Sequence, residues 1–465
     1  MRDSIQPARL SRSWRARLFA VALLSAVLVA GCTGSSGTAS SPAAATAGSA
    51  ATPAGAVSCF PVSCYAPRQF RVAYGIQPLL DGGIDGLGET VTVLAPAQPF
   101  GTPRPSTPVP DSGPPPGAGA TDIRQDLAAF DSEFRLPAAR IQVVNSLAGA
   151  ASPWQAADEE AQDVEIVHAV APAATLRVVL LPASVLDSAA TATAGMLAGL
   201  RLAVSGTDVA SIDWSMGEHF FTKAQAAQMN SILAEADAHH VTVVASSGDN
   251  GAFSSGDNGA YSGTSFGGTP VEEVSLPASD PLVLAVGGTM LTADPSTGAY
   301  LSETAWNGQS GFSISGGASG GGFSHLYARP AYQDGVPGIS AMRGVPDVAG
   351  DAYDQGGISI VTVSGGKTGI APASGTGAAA PLWAGLMALA DQYAHHDLGF
   401  VNTAIYRIGR SSSYHRAFYD VTTGSNILTM PYPGGTAGWQ AGPGWDPATG
   451  WGSRNAQVLV PLLAA

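Results

Sequence analysis

Lysine is almost missing from this sequence: Lys223 and Lys367 are the only two in 465 residues. Without clustered Lys and Arg there is no surface to neutralise phosphates, which excludes nucleic acid as a partner. The 21 basic residues face 35 acidic ones, for a formal charge of −14. Five of the arginines (Arg2, Arg9, Arg12, Arg15, Arg17) precede residue 32, so the rest of the chain is more acidic still. An acidic, lysine-poor surface suits an acidic milieu. Cysteine is scarce as well, with three residues, and this excludes a disulfide-rich scaffold. Nothing is scarce about the apolar residues, at 45%. That is ample for a large core, either as one large α/β domain or as two or three average ones.

Each cysteine has a place in the pattern. The apolar run 18–30, preceded by arginines, reads as a secretory signal and is too short for a transmembrane helix. Val29-Ala30-Gly31-Cys32 resembles a bacterial lipoprotein cleavage site, in which the cysteine is lipidated and becomes the new N-terminus. The other reading is an ordinary signal peptide cleaved nearby. Residues 1–31 are thus expected to be a lipoprotein-type signal and the product to be extracytoplasmic, either anchored to the cell membrane through lipid alone or secreted. Residues 32–58, almost all Ser, Ala, Gly, Thr and Pro, read as a flexible tether. Cys59 and Cys64 are expected to oxidise outside the cytoplasm, closing a small loop of modest stabilisation.

From residue 59 to 465 the pattern is that of one large domain. Strands are expected at 90–94, 141–144, 176–181, 209–214, 241–245 and 282–286. Helices are expected at 122–134, 158–171, 186–204, 223–238 and 378–393, with a long Pro/Gly-rich loop at 97–120. Apolar strands alternating with helices argue for a parallel sheet covered by helices on both faces.

Four stretches carry possible chemistry. Glu159 and Asp163 are four apart in a helix, so both carboxylates share a face; alone they would read as a solvated acidic surface. Ser246-Ser-Gly-Asp249 follows a buried strand, where α/β proteins place functional groups, although a turn aspartate fits equally. Ser319-Gly320-Gly321-Gly322 permits close backbone approach. Ser374-Gly-Thr-Gly377-Ala-Ala-Ala-Pro381 opens an apolar helix whose N-terminus suits an anion or oxyanion.

Together these stretches resemble the sedolisins, the serine-carboxyl peptidases, over residues 66–462. Tyr74-Gly-Ile, Ala169-Val-Ala-Pro, Ser211-Ile-Asp-Trp-Ser-Met-Gly-Glu218, Leu276-Pro-Ala-Ser-Asp-Pro281, Val286-Gly-Gly-Thr289, Trp306-Asn307 and Val345-Pro-Asp347 extend the match. The resemblance implies a subtilisin-like α/β fold and peptide or protein ligands. It implies Glu159 as general base, Asp163 as its orienter and Asp249 as oxyanion donor. It implies a substrate cleft with Trp214, Ser319, Gly320 and Gly321. It further implies a calcium site from Asp420 and Asp446 with backbone oxygens of Val421, Gly442 and Gly444; alone, the two acids would read as turn aspartates. Asp249 donates only when protonated, which suits work at acid pH. Subtilisin chemistry itself has no support, since no His-Gly-Thr motif occurs.

Where the family carries its nucleophilic serine, this sequence has Gly377. Ser265, in Ser262-Gly-Thr-Ser265-Phe-Gly-Gly-Thr-Pro270, mimics the motif with one residue too many before the proline and no helix after it. Only the tether separates Cys32 from the body where the family has an inhibitory prodomain, and an enzyme without a nucleophile needs no inhibitor. Two functions are therefore expected: a catalytically impaired, peptide-binding homologue, or an active acid endopeptidase with an unconventional nucleophile.

The anchor is testable first. Cys32→Ala is expected to move the expressed full-length protein from the detergent to the aqueous phase on phase partitioning; unchanged partitioning would disprove lipidation.

Overall fold

The computed structural model describes residues 57–59, 62–96, 121–145, 155–156, 158–254, 271–308, 317–353, 355–364, 367–429 and 436–465. All fall within one compact unit, Pro53–Ala465. Cys32, the tether through residue 56, the 97–120 loop and the Ser262–Pro270 stretch lie outside them. Among the described residues no helix is long and apolar enough to cross a membrane.

The central sheet has eight strands. In chain order the main elements are β1 (Thr90–Pro96), α1 (Ile123–Phe134), β2 (Arg140–Asn145), α2 (Asp158–Val170), β3 (Thr175–Leu181), α3 (Ala189–Ala203), β4 (Val209–Ile212), α4 (Lys223–Ala238), β5 (Thr242–Ser246), β6 (Leu284–Ala293), β7 (Tyr300–Ala305), β8 (Val348–Asp351) and α5 (Thr376–Ala394). Their spatial order is β7-β6-β5-β4-β1-β3-β2, with β8 also paired to β6. Every pairing is parallel except β6 with β7. Strands β2 and β3 lie on one side of β1, and the later strands, from β4, lie on the other. Such a change of side opens a crevice at the carboxyl ends of the strands. A two-stranded hairpin, Val57–Cys59 with Val62–Cys64, precedes the body, and a disulfide joins Cys59 to Cys64.

The parallel sheet with helices on both faces agrees with the expected α/β class. One face packs Val91, Val93, Val244 and Val286 against α1, α2 and α5. The other packs Leu94, Val179, Ile212 and Val243 against α3 and α4. Helix α5 is apolar all round, and each residue from Thr376 to Asp391 is buried, as a helix without a polar face must be. It lies against α2, where a Cβ on Gly385 would come within 2.7 Å of Val170 Cβ; only glycine lets the two backbones approach this closely.

Two expectations need correction. The helix foreseen over 186–204 is split: Ala183–Asp187 forms a 3-10 turn, and α3 starts afresh after Ser188. Ser188 is extended and its side chain accepts the Thr191 N–H, so the cap overrides the apolar continuity. The strand foreseen at 282–286 runs on to Ala293. Gly287 and Gly288 look like a terminator but lie within the strand, tight against Pro346 and Ala352.

A buried polar network ties the sheet to the C-terminal region. Glu303 accepts the Tyr74 hydroxyl (2.7 Å), the Thr289 hydroxyl (2.7 Å) and the Ser453 hydroxyl. The wholly buried Arg454 guanidinium stacks 4.0 Å from the Tyr74 ring centroid. Burial pushes the nearby Asp351 carboxyl from 3.8 up to about 7, with the Glu303 charge adding to the shift. The folded state therefore keeps a proton that the unfolded chain releases near 3.8. Stability conferred by the protonated group is lost as pH rises toward about 7, with a slope of roughly 1.4 kcal/mol per pH unit for one proton. Asp351→Asn is expected to flatten the pH dependence of the unfolding free energy between pH 4 and 7; an unchanged slope would show that Asp351 is not the group titrating.

Candidate active site

At the carboxyl ends of β4 and β5, Asp249 meets the end of α5 that carries Gly377. Asp213 directly follows β4, Asp249 lies three residues beyond β5, and α5 begins beside them. Glu159 and Asp163 ride on α2, packed against α5. The side chain of Glu159 lies outside what the structure describes, while that of Asp163 is wholly buried.

Asp249 has a definite local task. Its Oδ1 accepts the Thr376 N–H (2.8 Å) and the Thr376 hydroxyl (2.8 Å), and that hydroxyl accepts the Gly248 N–H (3.1 Å). A carboxylate from a distant strand thus caps α5, in the field of the positive helix end. Gly375 makes room for it. At φ +77°, an added Cβ would sit 3.2 Å from Asp249 Cγ and closer to Oδ2. From the α2 side, the Gln162 amide grips the approach to α5. It accepts the Ser374 N–H (2.9 Å) and donates to the Ser374 carbonyl (3.3 Å).

The first turn of α5 meets a second carboxylate. A Cβ built on Gly377 would lie 2.6 Å from both Cγ and Oδ2 of Asp213, and closer still to Oδ1. Such separations are far inside van der Waals contact. The Asp213 carboxylate occupies the space that any side chain at position 377 would need. Its backbone is held in turn, with the Asp213 carbonyl accepting the Ser246 hydroxyl at 2.6 Å.

Gln162, Asp213 and Thr376 join the site without being marked by the sequence, although each lies inside or beside a stretch that carries the resemblance. Asp213 satisfied the same placement rule as Asp249, an acid at the end of a buried parallel strand. What the sequence could not reveal was which position of α5 it faces.

The other candidates lie around this centre. Ser319 is buried, accepting the Gly288 N–H (2.9 Å) and donating to the Ala448 carbonyl (2.7 Å). Gly320 N–H donates to the Gly248 carbonyl (2.6 Å) and Gly321 N–H to the Gly251 carbonyl (3.1 Å). This segment therefore braces the loop that carries Asp249. Trp214 is only 4% exposed and packs in the core beside α3, near Gly195.

Near the C-terminus, Asp420 and Asp446 flank one loop. Gly444 N–H donates to Asp420 Oδ1 (3.1 Å), and Gly442 N–H to Asp446 Oδ2 (3.1 Å). Val421 is buried next to Asp420. Burial pushes the Asp446 carboxyl up to about 6 even though four hydrogen bonds oppose the shift. Among the described residues, no cationic side chain pairs with either aspartate. Two hard oxygen donors lacking a counter-charge fit a divalent cation, which would lock the loop to the body. Among the described residues, two further groups bring three possible ligand atoms within 4.8 Å of one another: Glu218 with Glu273 and His325, and Glu89 with Asp391 and Asp397.

No family model matches the chain. Kumamolisin of Bacillus sp. (strain MN-32) is 34% identical over 314 residues, covering 64% of this chain and 50% of that protein. Sedolisin of Pseudomonas sp. (strain 101) is 30% identical over 358 residues, covering 74% and 56%. The structure of Pseudomonas sedolisin, a serine-carboxyl proteinase complexed with two molecules of pseudo-iodotyrostatin, superimposes with a TM-score of 0.64 at 27% identity. That match covers 86% of this chain and 98% of that one. The comparisons support the sedolisin family. The chain spans about half the length of the curated relatives it matches. Within the sedolisin fold, this chain brings Asp213 and Asp249 to the start of α5 at the carboxyl ends of β4 and β5.

The cap on α5 can be measured. Thr376→Val removes the hydroxyl that links Asp249 to Gly248 and is expected to cost about 1–2 kcal/mol, read as a lower denaturant midpoint at constant slope. An unchanged midpoint would show that the cap contributes nothing.

Proposed function

We propose that this chain is an extracytoplasmic sedolisin-family peptidase homologue in which serine-type catalysis is impaired, and that it acts by binding peptide or protein ligands at the cell surface. One observation carries the reading: position 377 has no side chain, and the Asp213 carboxylate fills the space a nucleophile would take. Attack on a peptide carbonyl needs a nucleophile, a base and oxyanion donors. Acids suited to the second and third roles remain in Glu159, Asp163 and Asp249, but the first is missing. Loss of a triad nucleophile removes a factor on the order of 10⁶ in turnover. The retained crevice supports ligand binding without turnover.

The N-terminal pattern ending in Cys32 supports export and anchoring, and the Cys59–Cys64 disulfide agrees with an oxidising compartment. The donor set at Asp420 and Asp446 supports a structural calcium ion there, with backbone oxygens of Val421, Gly442 and Gly444 completing an oxygen cage. Such an ion acts by holding the folded loops together and takes no part in peptide chemistry.

Activity on acid-denatured protein between pH 3 and 6 tests the reading. The wild type is expected to release no peptides. Gly377→Ser alone is expected to stay inactive, because the new Cβ meets Asp213. Gly377→Ser combined with Asp213→Ala frees the space and is expected to gain activity that Glu159→Ala removes. Wild-type hydrolysis abolished by Ser265→Ala, Ser374→Ala or Asp213→Ala would overturn the proposal and name the group responsible.

A further inference from the structure

The opposite end of the sheet carries a second concentration of acid. Glu89 immediately precedes β1, Asp208 immediately precedes β4, Asp391 sits in the last turn of α5, and Asp397 lies in the segment just after it. One carboxylate oxygen from each of Glu89, Asp391 and Asp397 falls within 4.8 Å of the other two. Asp208 adjoins them, and its charge acts on both Glu89 and Asp391.

Three features set this cluster apart from an ordinary acidic surface. Asp391 is 1% exposed; its Oδ1 accepts the Leu398 N–H (2.8 Å), while its Oδ2 has no hydrogen-bond partner. Among the described residues, none of the four acids forms an ion pair. The cluster also stands at the carboxyl end of a buried 19-residue helix, where the helix dipole favours a cation and disfavours each carboxylate. Burial and mutual repulsion raise Glu89 to about 7 and Asp391 to about 8.

The surroundings hold these groups in place. The Gln392 amide accepts the N–H groups of Asp85 and Gly86 (both 2.7 Å) and donates to the Gly83 carbonyl (3.1 Å), fixing the turn that leads to Glu89. Thr90 N–H donates to Asp208 Oδ2 (2.7 Å). The Thr242 hydroxyl donates to the Gly399 carbonyl (2.6 Å), tethering the Asp397 segment to β5. Glu89, Asp208 and Asp397 are half-buried, which leaves the cluster open to an ion from solvent.

We infer that Glu89, Asp391 and Asp397, with Asp208 beside them, form a second cation site that takes Ca²⁺ and joins the start of β1 to the end of α5. The donors are all carboxylate oxygens supplied by the protein itself, which suits Ca²⁺, with its flexible shell of 6–8 oxygen ligands, better than Mg²⁺, which keeps several of its waters. The ion supplies the positive charge that neither the helix end nor any neighbouring side chain provides. This site is separate from the one at Asp420 and Asp446 and independent of any catalytic activity.

Calcium titration of the full chain tests it, with Asp446→Ala introduced to silence the C-terminal site. The Asp446→Ala protein is expected to bind one Ca²⁺ by calorimetry at neutral pH. Calcium about 100-fold above its Kd should raise its unfolding temperature by several degrees over the chelated sample. Adding Asp391→Asn should abolish both effects. It should also raise the unfolding temperature of the chelated protein, because a buried carboxyl disfavoured by its surroundings is replaced by a neutral amide. Asp397→Asn, on a half-exposed residue, reads the same loss if the Asp391 variant folds poorly. An Asp446→Ala protein that neither binds Ca²⁺ nor gains stability from it overturns the inference. So does calcium binding that survives both Asp391→Asn and Asp397→Asn.

Discussion

The burial of α5 is the constraint from which the rest of the structure follows. A helix apolar on every side has to be enclosed, and here the sheet covers part of it and α2 another part. Enclosure fixes its axis, its depth and the positions of both ends. Its first turn is driven into the crevice at the carboxyl ends of β4 and β5. Its last turn emerges where β1 and β4 begin. A helix end buried without partners would leave orphan N–H and C=O groups, so both ends had to be equipped from elsewhere in the chain.

The two ends are equipped in opposite electrostatic senses. At the amino end, Asp249 supplies an acceptor to Thr376, and negative charge meets the positive end of the helix dipole. Asp213 adds a second carboxylate beside Gly377. At the carboxyl end, Asp391, Glu89, Asp208 and Asp397 crowd the negative end with more negative charge. A lysine-poor chain has no amine to place there, so neutralisation falls to protons or to a cation from solution. The raised carboxyls at both Asp391 and Asp351 follow first from burial, with the charge of neighbouring carboxylates adding to the shift.

Much of this was legible before any coordinates. The alternating apolar segments announce a helix-covered parallel sheet, and the range expected for α4, 223–238, matches Lys223–Ala238, where Thr222 caps the helix. Misreadings arose where a local signal competed with tertiary context. Ser188 broke an apolar run by capping, and Gly287-Gly288 stayed in a strand because neighbouring side chains press against it. Ser319, Gly320 and Gly321 were legible as a site of close backbone approach. That the approach is to the loop carrying Asp249 was not.

By itself the sequence determined composition, periodicity and the missing hydroxyl at position 377, all of which are properties of residues taken in order. It also determined that acids outnumber bases in the body as a whole. Tertiary structure alone decided which acids meet. Asp213 and Gly377 are 164 positions apart in the chain, and no spacing rule connects them. Their contact exists because β4 ends where the buried helix begins. The gathering of Glu89, Asp208, Asp391 and Asp397 has the same origin, since strand starts and a helix end converge only once the sheet is wound. Pairwise proximity between distant segments is set by packing, and packing is a property of the enclosed volume rather than of any local stretch.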